Sequence, residues 1–104
     1  MTAVAFDEII HPTNRLQICA SLASVDALEF SVVRDTLGVS DSVLSKQVKV
    51  LQTAGYVAVK KAPLKSRTHT WLSLTPAGRE ALAGHLAELR RIANLAGGAE
   101  GAGF

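Results

Sequence analysis

Acidic residues are absent from the whole stretch between Ser42 and Arg79 of this 104-residue chain. That stretch holds seven of the eleven basic residues: Lys46, Lys49, Lys60, Lys61, Lys65, Arg67 and Arg79. It carries +7, while the other four basic residues share the remainder with all nine acids, a balance of −5. The formal net charge of +2 hides this segregation. One contiguous surface is expected to be cationic, and nucleic acid is the commonest partner for such a surface. Cysteine is nearly absent too. Cys19 stands alone and has no intrachain disulfide partner, which suits a reducing compartment. No apolar run approaches the roughly eighteen residues of a membrane span. The amino terminus has no basic segment ahead of an apolar core, so no secretory signal is expected, and the expected location is the cytoplasm. No nucleophile–base–acid set, phosphate-binding loop or cofactor fingerprint occurs, so neither enzyme activity nor a cofactor is expected.

The chain length fits one domain with a modest core, for which dimerisation is a plausible supplement. Val4 to Ile10 reads as a short apolar-faced helix or arm, interrupted by His11-Pro12. A helix is expected from Pro12 to Ala23, with Leu16, Cys19 and Leu22 as its inward stripe. Leu28-Glu29-Phe30 reads as a very short strand. Ser31 is then a candidate cap for a helix through Leu37, and Gly38 supplies the stop. Ser40 is the next cap candidate, for a helix from Asp41 to about Ala54 that Gly55 ends. Tyr56–Lys61 and Thr68–Leu74 are rich in β-branched or aromatic residues and read as two strands of a hairpin with a basic tip. Thr75-Pro76 marks the start of a long last helix, reaching Ala96. The glycine-rich stretch 97–104 is expected to be a flexible tail.

The helix from Asp41 carries the function. At about 100° per residue, Ser45, Lys46, Lys49 and Thr53 fall on the same side as Ser42. Leu44, Val48 and Leu51 fall opposite. Small hydroxyls let a helix sit deep in the major groove, and lysines reach phosphates or guanine edges. An ordinary amphipathic surface helix would mix both charge signs on its outer face, and this one does not. Lys65-Ser66-Arg67 at the hairpin tip is placed to reach flanking phosphates or a narrow minor groove. Lys60 and Lys61 point to opposite faces of their strand, so at most one belongs to the same surface.

The stretch Ser42-Val-Leu-Ser-Lys-Gln-Val-Lys-Val-Leu-Gln-Thr-Ala-Gly-Tyr-Val57 resembles the recognition helix and following strand of winged helix-turn-helix regulators of the ArsR and MarR type. Residues 11 to 18, His-Pro-Thr-Asn-Arg-Leu-Gln-Ile, resemble their first-helix signature. Trp71-Leu-Ser-Leu-Thr-Pro-Ala-Gly-Arg-Glu80 is similar to their second wing strand and the start of their last helix. The resemblance runs from about Phe6 to Ile92 and is closest to small single-domain members. It implies an α+β, mainly α, fold with a two-stranded wing, a short extra strand and a long C-terminal helix. One DNA-binding domain over residues 1–96 is expected, with dimerisation elements at both ends. The implied function is a homodimeric regulator, usually a repressor, on a pseudo-palindromic double-stranded operator; the sequence leaves open a small-molecule effector in a pocket between the dimer helices. Carried over by position, Ser42, Val43, Ser45, Lys46 and Lys49 face the major groove, and Lys65 and Arg67 sit in the wing. The cysteine pair of the metal-sensing members has no counterpart.

Leu82, Leu86, Leu89, Ala93 and Ala96 follow the 4-3-4-3 spacing of a helix–helix seam and are expected at a dimer interface, with part of the stripe covering the domain's own core. Val4, Phe6, Ile9 and Ile10 are candidates for the same interface or for a flap on the protomer's own core. His11, His69 and His85 lack metal-ligand spacing. His11 is expected at the start of a helix and His85 at an interface or the surface. Cys19 is expected to be a buried small hydrophobe, and Trp71 a packing residue. The competing reading is a winged-helix protein-interaction module that does not bind DNA.

Overall fold

The computed structural model describes residues 4–97. In chain order it holds α1 (Thr13–Leu22), β1 (Leu28–Glu29), α2 (Phe30–Leu37), α3 (Asp41–Thr53), β2 (Val57–Leu64), β3 (Arg67–Leu74) and α4 (Pro76–Leu95). The three strands form one antiparallel sheet in the order β1-β3-β2. The glycine-rich tail expected at 97–104 lies, beyond Gly97, outside the described residues.

Local chemistry sets the limits of the central elements. Gly38 ends α2 in the left-handed conformation at φ 70°, which a residue without Cβ adopts readily. Two residues later the Ser40 hydroxyl accepts from the Val43 amide at 3.2 Å and caps α3. Gly55, at φ 82°, turns the chain out of α3 into β2. The Thr75 hydroxyl caps α4 through the Gly78 amide at 3.0 Å, with Pro76 in the first turn. Two expected starts shift. Helix α2 begins at Phe30 with Glu29 at its cap position, so Ser31 is inside the helix. Helix α1 begins at Thr13, leaving Pro12 at the cap position without a side-chain cap.

One face of each element is apolar and turns to a common core. Ile18, Cys19 and Leu22 of α1 meet Val33 of α2, Leu44, Val48 and Leu51 of α3, Val57, Leu72 and Leu74 of the sheet, and Leu82 of α4. Each fully buried branched side chain of this kind contributes about 1.5–3 kcal/mol relative to exposure. Cys19 is completely buried, as expected, and burial pushes its thiol up to about 11, so the reactive thiolate is suppressed at neutral pH.

The arm that precedes α1 is pinned rather than helical. Asp7 organises it. One carboxylate oxygen accepts from the Ile9 and Ile10 amides at 2.9 and 3.0 Å, and the other accepts from the Tyr56 hydroxyl at 2.6 Å. That bond, first, pushes the Tyr56 phenol up to about 12. Ile10 drops into the protomer's own core, so it is not available to an interface, whereas Phe6 and Ile9 stay exposed.

The candidate nucleic-acid interface

Helix α3 presents Ser42, Ser45, Lys46 and Lys49 to solvent and keeps Leu44, Val48 and Leu51 buried. Val43 is 38% exposed at the flank of the same surface. Asp41 precedes the acid-free block by one residue, and it is not free. Arg34 of α2 donates to Asp35 and to Asp41, both at 2.9 Å. The hydrogen bond to Asp35 and then that to Asp41 raise the Arg34 pKa above its ordinary value. The one acid at the start of α3 is therefore paired with the preceding helix, though a single guanidinium shared by two carboxylates leaves one negative charge there.

Between α3 and the sheet runs an open groove of about 410 Å³. Ser45, Lys49 and Gln52 line it from the helix, and Val59, Lys61, Thr70 and Leu72 from the strands. The β2–β3 register explains the strand side: Lys61 lies opposite Thr70 and Val59 opposite Leu72, so all four share the face toward α3. Lys60, opposite Trp71, belongs to the other face. The ambiguity between the two neighbouring lysines is thus resolved in favour of Lys61, which joins Lys49 across the groove. No local sequence signal identifies which lysine that is; it follows from register.

The hairpin is longer and tighter at its tip than the sequence indicated. The expected six-residue connection is a two-residue turn, Lys65-Ser66, between strands of eight residues each. Both turn residues have positive φ, 52° and 68°, as a type I′ hairpin turn demands. Pro63 remains inside β2 because that strand is at the sheet edge, where a missing amide proton costs little. Lys65 stands at the tip, and Arg67 opens β3 opposite Leu64, both exposed. By strand parity Arg67 starts on the face of the hairpin away from the groove. Pairing of His69 with Glu29 ties the middle of the wing to β1.

Arg79 is not part of this surface. Its guanidinium donates to the Ala23 and Val25 carbonyls at 2.6 and 3.1 Å, closing the end of α1 against α4. The cationic block therefore divides into a helix-and-groove set (Lys46, Lys49, Lys61), a tip set (Lys65, Arg67), Lys60 on the opposite face of the hairpin and a structural arginine, Arg79.

The proposed seam residues separate in the same way. Leu82 is 4% exposed and packs in the protomer core, so its assignment to a dimer interface is corrected: it faces inward. Leu86 packs partly against that core, Leu89 is half-buried and Ala93 is exposed. The exposed large apolar side chains of the arm and α4 are Val4, Phe6, Ile9, Ile92 and, at 75% exposure, Leu95.

His85 also departs from expectation, being completely buried. Its Nδ1 accepts from the Asp7 amide at 2.9 Å, and its Nε2 lies 3.1 Å from Nδ1 of His11. An Nδ1 that accepts leaves the proton on Nε2, which donates to His11. Phe6 packs against both rings. Burial, followed by the neighbouring His11, lowers the His85 pKa below its ordinary value. The two histidines are 74 residues apart, so no spacing rule reveals the pair. Among the described residues no group of three or more potential ligands is arranged to hold a metal ion.

A helix-turn-helix whose second helix exposes hydroxyls and lysines, followed by a β-hairpin, defines a winged helix-turn-helix DNA-binding domain. The chain belongs to this family: residues 14–93 match the family described as winged helix DNA-binding domain. It is 28% identical over 85 residues to the uncharacterized protein MJ0432 of Methanocaldococcus jannaschii, spanning 82% of this chain and 92% of that protein. Its fold is similar to that of a transcriptional regulator homologue from Pyrococcus horikoshii OT3, with a TM-score of 0.81 at 23% identity over 86% of this chain and 89% of that one. It is also similar to the heme sensor protein PefR from Streptococcus agalactiae in complex with heme, with a TM-score of 0.73 at 19% identity over 88% and 64% of the two chains. The matched family is one of DNA-binding domains. Among the described residues no helix is long and apolar enough to cross a membrane.

Proposed function

We propose that this chain is a sequence-specific double-stranded DNA-binding regulator of the cytoplasm that acts as a homodimeric repressor on a pseudo-palindromic operator. Residues 1–96 form its DNA-binding domain. Ser42, Val43, Ser45, Lys46 and Lys49 enter the major groove, and Lys65 and Arg67 take the flanking backbone or minor groove. The observation that carries this reading is the cationic surface of α3 and the wing: Lys46, Lys49 and Lys61 lie along the helix and groove, Lys65 and Arg67 lie at the hairpin tip, all five are exposed, and the bordering Asp41 is paired with Arg34. Phe6, Ile9, Leu86, Leu89 and Ala93 are the proposed dimer contacts, supported by the exposed apolar residues of the arm and of the end of α4. A small-molecule effector is part of the proposal. PefR is a heme sensor, and an apolar cleft of about 240 Å³ lined by Ala23, Leu74, Leu82 and Leu86 lies between α1, β3 and α4.

Mobility-shift titrations on duplexes selected from the source genome test the reading. Affinity is expected to fall steeply with salt, by about 0.9 in log K per log salt for each phosphate neutralised. Binding indifferent to salt, or binding to an acidic protein with none to any duplex, would replace this reading with that of a protein-interaction module.

A further inference from the structure

The arm before α1 is fastened at both ends to different parts of the molecule. At its start the Ala5 amide donates to the Gly84 carbonyl at 3.1 Å, and the Asp7 amide donates to His85, so this end is held by α4. At its other end Ile9 lies beside α3. It lines, with Lys49, Val50, Thr53 and Ala54, an apolar cleft of about 330 Å³ along the flank of that helix. Arg15 closes the connection. Its Nε donates to the Ile9 carbonyl at 2.6 Å, and its Nη1 donates to the Gln47 side-chain oxygen at 2.8 Å. Gln47 sits on α3 itself, between the buried back and the exposed front. A single guanidinium thus spans the arm and the recognition helix. Neither of its two partners is charged, so the bridge is used for its geometry and not to cancel a charge. Lysine has no planar fork and is not equivalent here.

We infer that Arg15 is a positioning residue: through Ile9 and Gln47 it sets the placement of the recognition helix by reference to the arm and α4. The inference rests on the proposed function, because it assigns a task in DNA reading. It adds a residue outside the cationic block, on a helix that the DNA-binding surface does not include. It also gives the arm a role beyond covering the core, since α4 and α3 are joined through it.

The test uses the full chain, with a duplex selected from a random library and a scrambled duplex of the same length. For Arg15→Met, affinity for the selected duplex is expected to fall about tenfold, the scale of losing hydrogen bonds from a charged donor. Affinity for the scrambled duplex and the salt slope on both should stay at wild-type values. Arg15→Lys should behave like Arg15→Met, and Gln47→Met should give a similar loss that does not add to that of Arg15→Met in the double variant. Thermal unfolding of each variant, run beside the titrations, sets a temperature at which all are fully folded. A salt slope that drops by about one in Arg15→Met, with equal loss on both duplexes, makes Arg15 a phosphate contact and overturns the inference. Wild-type binding by Arg15→Met or Arg15→Lys overturns it as well. A wild-type chain that binds no duplex at all refutes the proposed function, a result distinct from either of these.

Discussion

Gly78 is the position where two ordinary rules give opposite signs. It lies in the first turn of α4, and a glycine inside a helix costs about 1 kcal/mol relative to alanine. On that basis alone Gly78→Ala stabilises. The structure says otherwise. A Cβ built there falls 2.2 Å from the Tyr56 carbonyl oxygen, 2.8 Å from Leu74 Cδ1 and 3.0 Å from the Tyr56 carbonyl carbon. The leucine end can rotate, but the Tyr56 peptide is fixed. Its oxygen also accepts from the Thr75 amide at 3.0 Å, so moving it strains the bond that seats the start of α4 on the base of the wing. Reaching ordinary van der Waals separation needs a backbone shift of roughly 1 Å. Overpacking of this kind costs about 1–3 kcal/mol, and weakening the hydrogen bond costs about 1 kcal/mol more. Against the gain of about 1 kcal/mol from helix propensity, the balance is a destabilisation of about 2 kcal/mol. For a domain of this size that lowers Tm by roughly 10 °C. Circular dichroism melts of the wild type and Gly78→Ala decide it. A variant melting at or above the wild-type temperature refutes the claim that helix and strand touch at this glycine.

Ser66→Gly keeps every charge but relieves a left-handed non-glycine residue, so it should raise stability by about 1 kcal/mol; an unchanged or lowered urea midpoint contradicts the turn assignment. The His85 pKa is lowered in the fold, so the unfolded chain binds the proton more readily, and stability should be complete above the ordinary value of 6.5 and decline as pH falls below it. Urea midpoints at neutral and mildly acidic pH measure this, and His85→Asn, which keeps an acceptor for the Asp7 amide, should flatten the profile. Lys46→Ala should reduce the magnitude of the salt slope of DNA binding by about 0.9, whereas Arg79→Ala should leave the slope unchanged and lower Tm, because that guanidinium is engaged with the Ala23 and Val25 carbonyls.

What was legible in the sequence was local. Ser40, Gly55, Thr75 and Pro76 act on backbone groups within a few residues, and they placed the limits of α3 and the start of α4 correctly. The apolar back of α3 follows from helical periodicity alone, and the charge block needs only counting. The hairpin tip is not legible, because Lys65-Ser66 lacks the Asn-Gly signal of a type I′ turn and because Pro63 reads as a breaker unless β2 is known to be an edge strand. The contacts that organise the arm were invisible for a different reason. Tyr56 to Asp7, His11 to His85 and Arg15 to Gln47 join residues 49, 74 and 32 positions apart, and side-chain hydrogen bonds at such range leave no periodic trace. Spacing alone does not tell which way Leu82 faces, since one apolar stripe serves either a partner helix or the domain's own core.

In the proposed function, α3 and the wing read DNA from one side of each subunit of a dimer. Footprinting of the full chain on a genome-selected duplex tests it most directly. The expected result is a protected region with two-fold symmetry, its half-sites about one helical turn apart, each with major-groove protection beside a protected flank. Protection of a single half-site, or none on any selected duplex, would contradict it.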